Sequence, residues 1–165
     1  AGRGARHVIA APDGDRSGKA LLIDESYNAN PASMRATIAA LGKVPARRRI
    51  AVLGAMKELG EASDTYHAEL AAPLIAAGVE RIILVGPEMA ALAAELGRAL
   101  GKSGGSVLAA QIELDHAKTA ADAAECLAAD APQGGDAILV KGSNSVGLGT
   151  LVRALTAGAR KAREN

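Results

Sequence analysis

Short apolar runs alternate with longer alanine-rich stretches along the chain, and Gly, Pro, Asn or Ser marks most of the transitions. Successive side chains of a strand point to opposite faces, so a run that is apolar at every position needs cover on both sides. IAVLG and RIILVG are such runs, and they predict parallel strands with helices on each face. Strands are predicted at His7–Ala10 and Ala20–Asp24, which flank an Asp13-Gly14 turn signal and suit a hairpin. Four more are predicted at Ile50–Leu53, Arg81–Val85, Val107–Ile112 and Ala137–Lys141. Helices are predicted over Pro31–Leu41, Ser63–Ala77, Pro87–Leu100, Thr119–Ala129 and Gly149–Arg160. Several starts are chemically marked: Asn30 before Pro31 reads as an N-cap with a first-turn proline, Gly86-Pro87 puts Pro at another start, and Thr119 with Asp122 reads as a capping box. The alternation predicts an α/β domain with a mostly parallel sheet of about six strands and helices on both faces.

Composition narrows the function more than the fold. The 165 residues fit one domain spanning 1–165, and 49% apolar with 22% charged residues is a globular balance that excludes a disordered chain. A net charge of +1 gives no general grip on a nucleic acid backbone. Two Tyr with no Phe or Trp leave almost no platform for stacking bases, and oblige the core to be built from Leu, Ile, Val and Ala. The lone Cys126 has no internal disulfide partner and sits in an alanine-rich helical stretch, as a small apolar residue would. No run approaches the ~18 apolar residues of a membrane span and no signal segment opens the chain, so a cytoplasmic protein without membrane insertion is expected.

Three strand ends gather the polar side chains. The densest cluster is Asp24-Glu25-Ser26-Tyr27-Asn28-Ala29-Asn30-Pro31, where an apolar run gives way to a helix. Ligands of open α/β sheets bind outside the carboxyl ends of strands, and free N–H groups at a helix N-terminus favour anions. The acids suit ribose hydroxyls, and the amides of Asn28 and Asn30 suit a base, phosphate or carboxylate. A capping Asn30 with solvated acids accounts for the same spacing without a ligand. The second strand end, Gly54-Ala55-Met56-Lys57-Glu58-Leu59-Gly60, offers Lys57 to a phosphate or simply exposes it on a turn. The third, Lys141-Gly142-Ser143-Asn144-Ser145, suits an anion or carboxylate, or ends a strand with a lysine reaching for solvent.

Several familiar signatures fail on counting. Gly97–Ser103 reads GRALGKS, one residue short of a G-x-x-x-x-G-K-[ST] phosphate loop, and it follows a helix instead of a strand. No G-x-G-x-x-G opens a strand-to-helix turn, and GSNSVG lacks Ser at the nucleophile-elbow position. His7, His67 and His116 have neither metal-ligand spacing nor an evident triad, so each is expected on the surface or as a cap. KSGGS at Lys102–Ser106 is the most flexible-looking interior stretch.

LLIDESYNANPASM, IAVLGAMKELGEASDTYH, ERIILVGPEM and AILVKGSNS, in that order and at these intervals, resemble the C-terminal domain of the Mur ligases. The opening GRGARH is similar to the stretch where that family's central domain hands over to the C-terminal one. The resemblance implies a Rossmann-like fold and a cytoplasmic ligase dependent on ATP and Mg2+. That ligase adds D-Ala-D-Ala to a UDP-N-acetylmuramoyl-tripeptide through an acyl phosphate during peptidoglycan precursor synthesis. It further implies nucleotide contacts from Asp24, Glu25, Tyr27, Asn28, Asn30 and Lys57, with Glu25 at the ribose. Dipeptide contacts fall to Lys141, Gly142, Ser143 and Asn144. Many members carry an acid where Ala55 stands and Arg where Asn144 stands. The family's phosphate loop, magnesium acids and modified lysine belong to a central domain and its UDP-sugar site to an N-terminal one. Neither is expected in this sequence, so no catalytic or metal-binding residue is expected in it either. The role implied is a lid that binds small substrates together with the central domain of its own chain. A free-standing nucleotide or amino-acid binding module and a folylpolyglutamate-type ligase domain are the alternatives.

Overall fold

A computed structural model describes residues 2–11, 18–102 and 112–161. The strands are β1 (Ala5–Ala10), β2 (Lys19–Glu25), β3 (Arg49–Gly54), β4 (Arg81–Val85), β5 (Glu113–Ala117) and β6 (Ala137–Lys141). The helices are α1 (Pro31–Gly42), α2 (Ser63–Ala68), α3 (Ala71–Ala76), α4 (Ala90–Lys102), α5 (Ala120–Ala129) and α6 (Gly149–Lys161). The strands form a single six-stranded sheet in the order β1-β2-β6-β3-β4-β5. β1 pairs antiparallel with β2, and every other neighbouring pair is parallel. The expected α/β, mostly parallel architecture is the one observed.

Alternation of side chains divides the core into two layers. Ile23, Ala51, Leu53, Ile82, Leu84 and Leu139 pack against α1, α3 and α4 on one face. Leu22, Ile50, Val52, Ile83, Val85, Ile138 and Val140 pack against α5 and α6 on the other. The helices therefore lie on the first face while the chain runs from β2 through β3 and β4 to β5, and on the second when it returns to β6. One handedness of crossover produces this change of face when the direction of travel reverses.

Three elements depart from their sequence-based expectation. The fifth strand is Glu113–Ala117; the predicted run Val107–Ile112 lies outside the described residues except for Ile112, which precedes the strand. Glu113–Ala117 has no apolar run because it is an edge strand, half solvated, whose Glu113 and Asp115 accept from the Arg81 guanidinium. The predicted helix Ser63–Ala77 is broken into α2 and α3. Pro73 has no N–H to give the Glu69 carbonyl, so the ladder cannot pass through that turn. Pro87–Met89 forms a tight 3-10 turn ahead of α4 instead of its first turn. The Asp13-Gly14 turn and Ser103–Ser106 lie outside the described residues.

Two of the three marked helix starts, at Asn30 and Thr119, hold as capping boxes. Asn30 Oδ1 accepts from Ser33 N at 2.8 Å, and Ser33 Oγ accepts from Asn30 N at 3.1 Å, with Pro31 at the first position of α1. Thr119 and Asp122 make the equivalent reciprocal pair on α5. Replacing Asn30 by Ala removes the Oδ1 acceptor for Ser33 N, leaving only the backbone half of the cap, and is expected to lower unfolding free energy by about 1 kcal/mol. Urea titration should register this as a lower midpoint at unchanged slope.

Candidate functional site

Parallel register lines up the carboxyl ends of five strands on one edge. Glu25 lies opposite Lys141, Leu53 opposite Lys141, Gly54 opposite Val85, and Val85 opposite Ala117. The chain leaving β2 or β3 turns to the α1 face, whereas the chain leaving β6 turns to the α6 face. Such a divergence opens a crevice at the strand ends, where ligands of α/β sheets bind. The three polar segments singled out from the sequence all sit on this rim.

The first segment, after β2, is rigid and tied to the start of the described chain. Asp24 is 2% exposed, and its carboxylate accepts from Gly2 N at 2.7 Å, Ser26 N at 3.1 Å and Ser26 Oγ at 2.6 Å. Its oxygens are thus engaged within the chain. Gly2 returns a bond by accepting from Tyr27 N at 3.2 Å, and a Cβ at Gly2 would lie 2.8 Å from the Tyr27 Cβ. Tyr27 is 47% exposed and carries the Arg3 guanidinium 4.4 Å from its ring centroid, so a cationic and an aromatic group share the outer side of the loop. Asn28 and Asn30 are exposed, with Asn28 Oδ1 accepting from Ala29 N and Asn30 committed to its cap.

The second and third segments are bound to each other. Ser143 N donates to the Ala55 carbonyl at 3.1 Å, and Ser143 Oγ accepts from Lys57 N at 3.1 Å. Gly142 passes so close to β3 that a Cβ on it would stand 2.9 Å from Gly54 Cα, a distance no side chain tolerates. Glu58, at φ 63, is the non-glycine residue that takes the left-handed turn in the Gly54–Gly60 loop. Lys57 extends from this loop and its ammonium pairs with Glu88 in the turn after β4. That pairing, led by the hydrogen bond from Lys57, holds the Glu88 carboxyl below its ordinary value. Asn144 and Ser145 are exposed beyond Ser143.

Lys141 links the third segment to the first. It is 2% exposed, its Nζ donates to the Asn28 carbonyl at 2.9 Å, and the Glu25 carboxylate lies 3.8 Å away. Burial pushes its ammonium below the usual lysine value, and Glu25 offsets part of that.

Two neighbours of the rim have no signature in the sequence. Glu88 stands in a turn separated from Lys57 by a whole crossover. His67, expected on the surface or as a cap, is fully buried. Its Nε2 accepts from Met56 N at 2.9 Å while Nδ1 donates to the Ser63 carbonyl at 2.8 Å, which fixes a neutral ring under the loop that carries Lys57. A donor and an acceptor four residues apart on α2 hint at this role, but the partner on Met56 is visible only in three dimensions. Beside Glu88, an open cavity of about 470 Å³ is lined by Gly86, Pro87, His116, Ala117 and Lys118.

The rim carboxylates do not converge on a common point: Asp24 is engaged by Gly2 and Ser26, Glu25 faces Lys141, and Glu88 holds Lys57. Among the described residues, no group of three or more His, Cys, Asp or Glu could hold a metal ion. These side chains do not fit a magnesium site. No helix among the described residues is long and apolar enough to cross a membrane.

The buried ammonium gives this site a pH signature. Between its depressed native value and 10.5, the unfolded chain holds a proton on Lys141 that the native chain has shed. Unfolding then takes up protons, so the Lys141 contribution to stability rises with pH across that window. The unfolding free energy of the wild type minus that of Lys141→Met should increase as pH is raised towards 10.5 in parallel urea titrations.

Comparison with known proteins agrees with this geometry. Residues 14–144 match the family model for the Mur ligase, glutamate ligase domain. A UDP-N-acetylmuramoyl-tripeptide--D-alanyl-D-alanine ligase from Synechocystis is 37% identical over 139 residues, covering 83% of this chain and 28% of that protein. The crystal structure of MurF ligase from Thermotoga maritima in complex with ADP superposes with a TM-score of 0.68 at 26% identity, covering 98% of this chain and 32% of that one. A MurF structure from Acinetobacter baumannii gives 0.69 at 28% identity, covering 93% and 30%. The chain thus spans less than a third of the length of these relatives. By a family match over most of its length, and by a sheet whose polar strand ends form one rim, the chain belongs to the Mur ligase family.

Proposed function

We propose that this chain is the C-terminal domain of a cytoplasmic, ATP- and Mg2+-dependent ligase that adds D-Ala-D-Ala to UDP-N-acetylmuramoyl-tripeptide, a step in building peptidoglycan precursors. In that reaction the tripeptide carboxylate attacks the γ-phosphoryl group of ATP and ADP leaves. The dipeptide amine then attacks the acyl phosphate, losing a proton, and the tetrahedral intermediate expels phosphate. Most of the catalysis in such transfers is positioning and charge neutralisation. The metal and the phosphate loop are supplied by a central domain outside this sequence.

The part given to this chain is to bind, orient and exclude water. The loop from Asp24 to Asn30 receives the nucleotide, with Glu25 at the ribose, Tyr27, Asn28 and Asn30 beside it, and Asp24 shaping the loop from behind. Lys57 neutralises phosphate charge once a phosphoryl oxygen replaces Glu88. The segment Lys141-Gly142-Ser143-Asn144 takes the dipeptide side. Closure of this rim on the central domain removes water from an intermediate that would otherwise hydrolyse. The observation that carries this reading is the junction of the three segments through Lys141, Ser143 and Lys57. The ADP complex of the Thermotoga relative supports the nucleotide part.

A coupled assay of phosphate release compares residues 1–165 alone with a full ligase chain in which they follow intact N-terminal UDP-sugar and central ATPase domains. The joined chain should turn over ATP, UDP-N-acetylmuramoyl-tripeptide and D-Ala-D-Ala, and the isolated domain should not. Turnover by the isolated domain would defeat the lid role, and use of glutamate in place of the dipeptide would move the assignment to a folylpolyglutamate-type ligase. In the joined chain, Lys57→Met should raise the KM for ATP about tenfold, the loss expected for one charge-assisted hydrogen bond.

A further inference from the structure

Among the described residues, Lys141 is the largest of the fully buried side chains, and it ends the strand that lies between β2 and β3. Its backbone belongs to the segment assigned to the dipeptide, but its ammonium does not reach that side. Nζ crosses to the segment after β2 and donates to the Asn28 carbonyl at 2.9 Å, with Glu25 at the end of β2 3.8 Å away. A lysine placed to receive a free carboxylate keeps its head in water until the ligand arrives; this one is enclosed by its own chain.

The bond is placed to govern a loop. Asn28 lies between the two ends of the nucleotide segment: Asp24 fastens one end to Gly2 and Ser26, and Asn30 fastens the other to α1. Its carbonyl is the point at which the third segment holds the first. Glu25 is the carboxylate proposed for the ribose, and the same ammonium faces it. On the other side of Lys141, Gly142 is pressed against Gly54 and Ser143 holds Lys57 N. Any shift at the end of β6 therefore reaches the nucleotide loop and the Lys57 loop together.

We infer that Lys141 is a positioning residue for the nucleotide loop, setting the Asn28 backbone and the Glu25 carboxylate from beneath, and that it does not contact the dipeptide. This rests on the nucleotide assignment proposed above. It has a consequence that a structural lysine would lack. The ion pair is long and the cation is costly to bury, so the fold gains little from it. Removing the ammonium should leave the fold as stable or more so while the nucleotide site deteriorates.

The test uses Lys141→Met, which preserves packing without a donor, and Lys141→Gln, which keeps a donor without the charge, both in the joined ligase chain. KM for ATP and for D-Ala-D-Ala, ADP affinity by calorimetry, and melting temperature are measured on each. The Met variant should raise KM for ATP and weaken ADP binding about tenfold, change KM for D-Ala-D-Ala less than about threefold, and melt no lower than wild type. The Gln variant should recover part of the ADP affinity. A rise confined to the dipeptide KM would overturn the inference by making Lys141 a direct acceptor ligand. Equal loss in both KM values with a lower melting temperature would reduce it to a packing residue. Wild-type protein that binds ADP without ligating D-Ala-D-Ala would overturn the proposed reaction while leaving the Lys141 inference to the ADP arm. Failure of wild type to bind ADP would overturn both.

Discussion

The last strand of the chain is laid into the middle of the sheet, and the organisation of the site depends on that insertion. β6 pairs with β2 on one side and β3 on the other, so the segments after β2, β3 and β6 become neighbours although they lie far apart in sequence. The close approach of Gly142 to Gly54 is what permits it. A Cβ on Gly142 would meet the Gly54 backbone and force the strand ends apart, and Ser143 would lose its bonds to the neighbouring loop. Three polar loops then form one rim because a single central strand holds the other two in register.

The two edges of the sheet use charge in opposite ways. At the amino ends of the strands, Arg47, Arg48 and Arg81 pair with Asp130, Asp136, Glu113 and Asp115 in a network of close pairs. Asp136 is buried there, accepting from two guanidinium groups and from Gln133 N, so each charge is matched within the fold. At the carboxyl ends the pairing is sparser. Lys57 holds one carboxylate and Lys141 meets Glu25 at a long distance, while Tyr27, Asn28 and Asn144 are exposed. A dense network locks an edge, whereas a thinly paired edge keeps groups that can exchange partners with a ligand.

Much of this was legible in the sequence wherever local chemistry and tertiary burial agreed. The continuous apolar runs at β3, β4 and β6 are buried on both faces, so their composition reports their position directly. The Asn30 and Thr119 caps are complete within four residues of sequence and were readable for that reason. β5 was not, because an edge strand pairing its acids with Arg81 has no apolar run to detect. The site divides along the same line. That the polar loops share a rim follows from their place at strand ends. The burial of Asp24 and Lys141, the neutral His67 beneath Met56 and the hold of Glu88 on Lys57 each need a partner supplied by another crossover, and no spacing encodes that.

A division of labour follows from where the polar groups are spent. A carboxylate that takes part in chemistry must be free to accept a proton or a metal, and both Asp24 oxygens are already engaged by Gly2 N, Ser26 N and the Ser26 hydroxyl. A lysine that carries charge to phosphate must be able to leave its partner. Lys57, half exposed and paired at the surface, can do so at small cost, because surface ion pairs contribute little. Lys141 cannot, since its ammonium is enclosed by its own chain and held on the Asn28 carbonyl. The same rim thus combines fixed groups that define the loops with a cation whose partner can be exchanged. The closing role proposed for this domain would draw on that combination: rigidity would set the geometry of closure, and one replaceable contact would let a ligand trigger it.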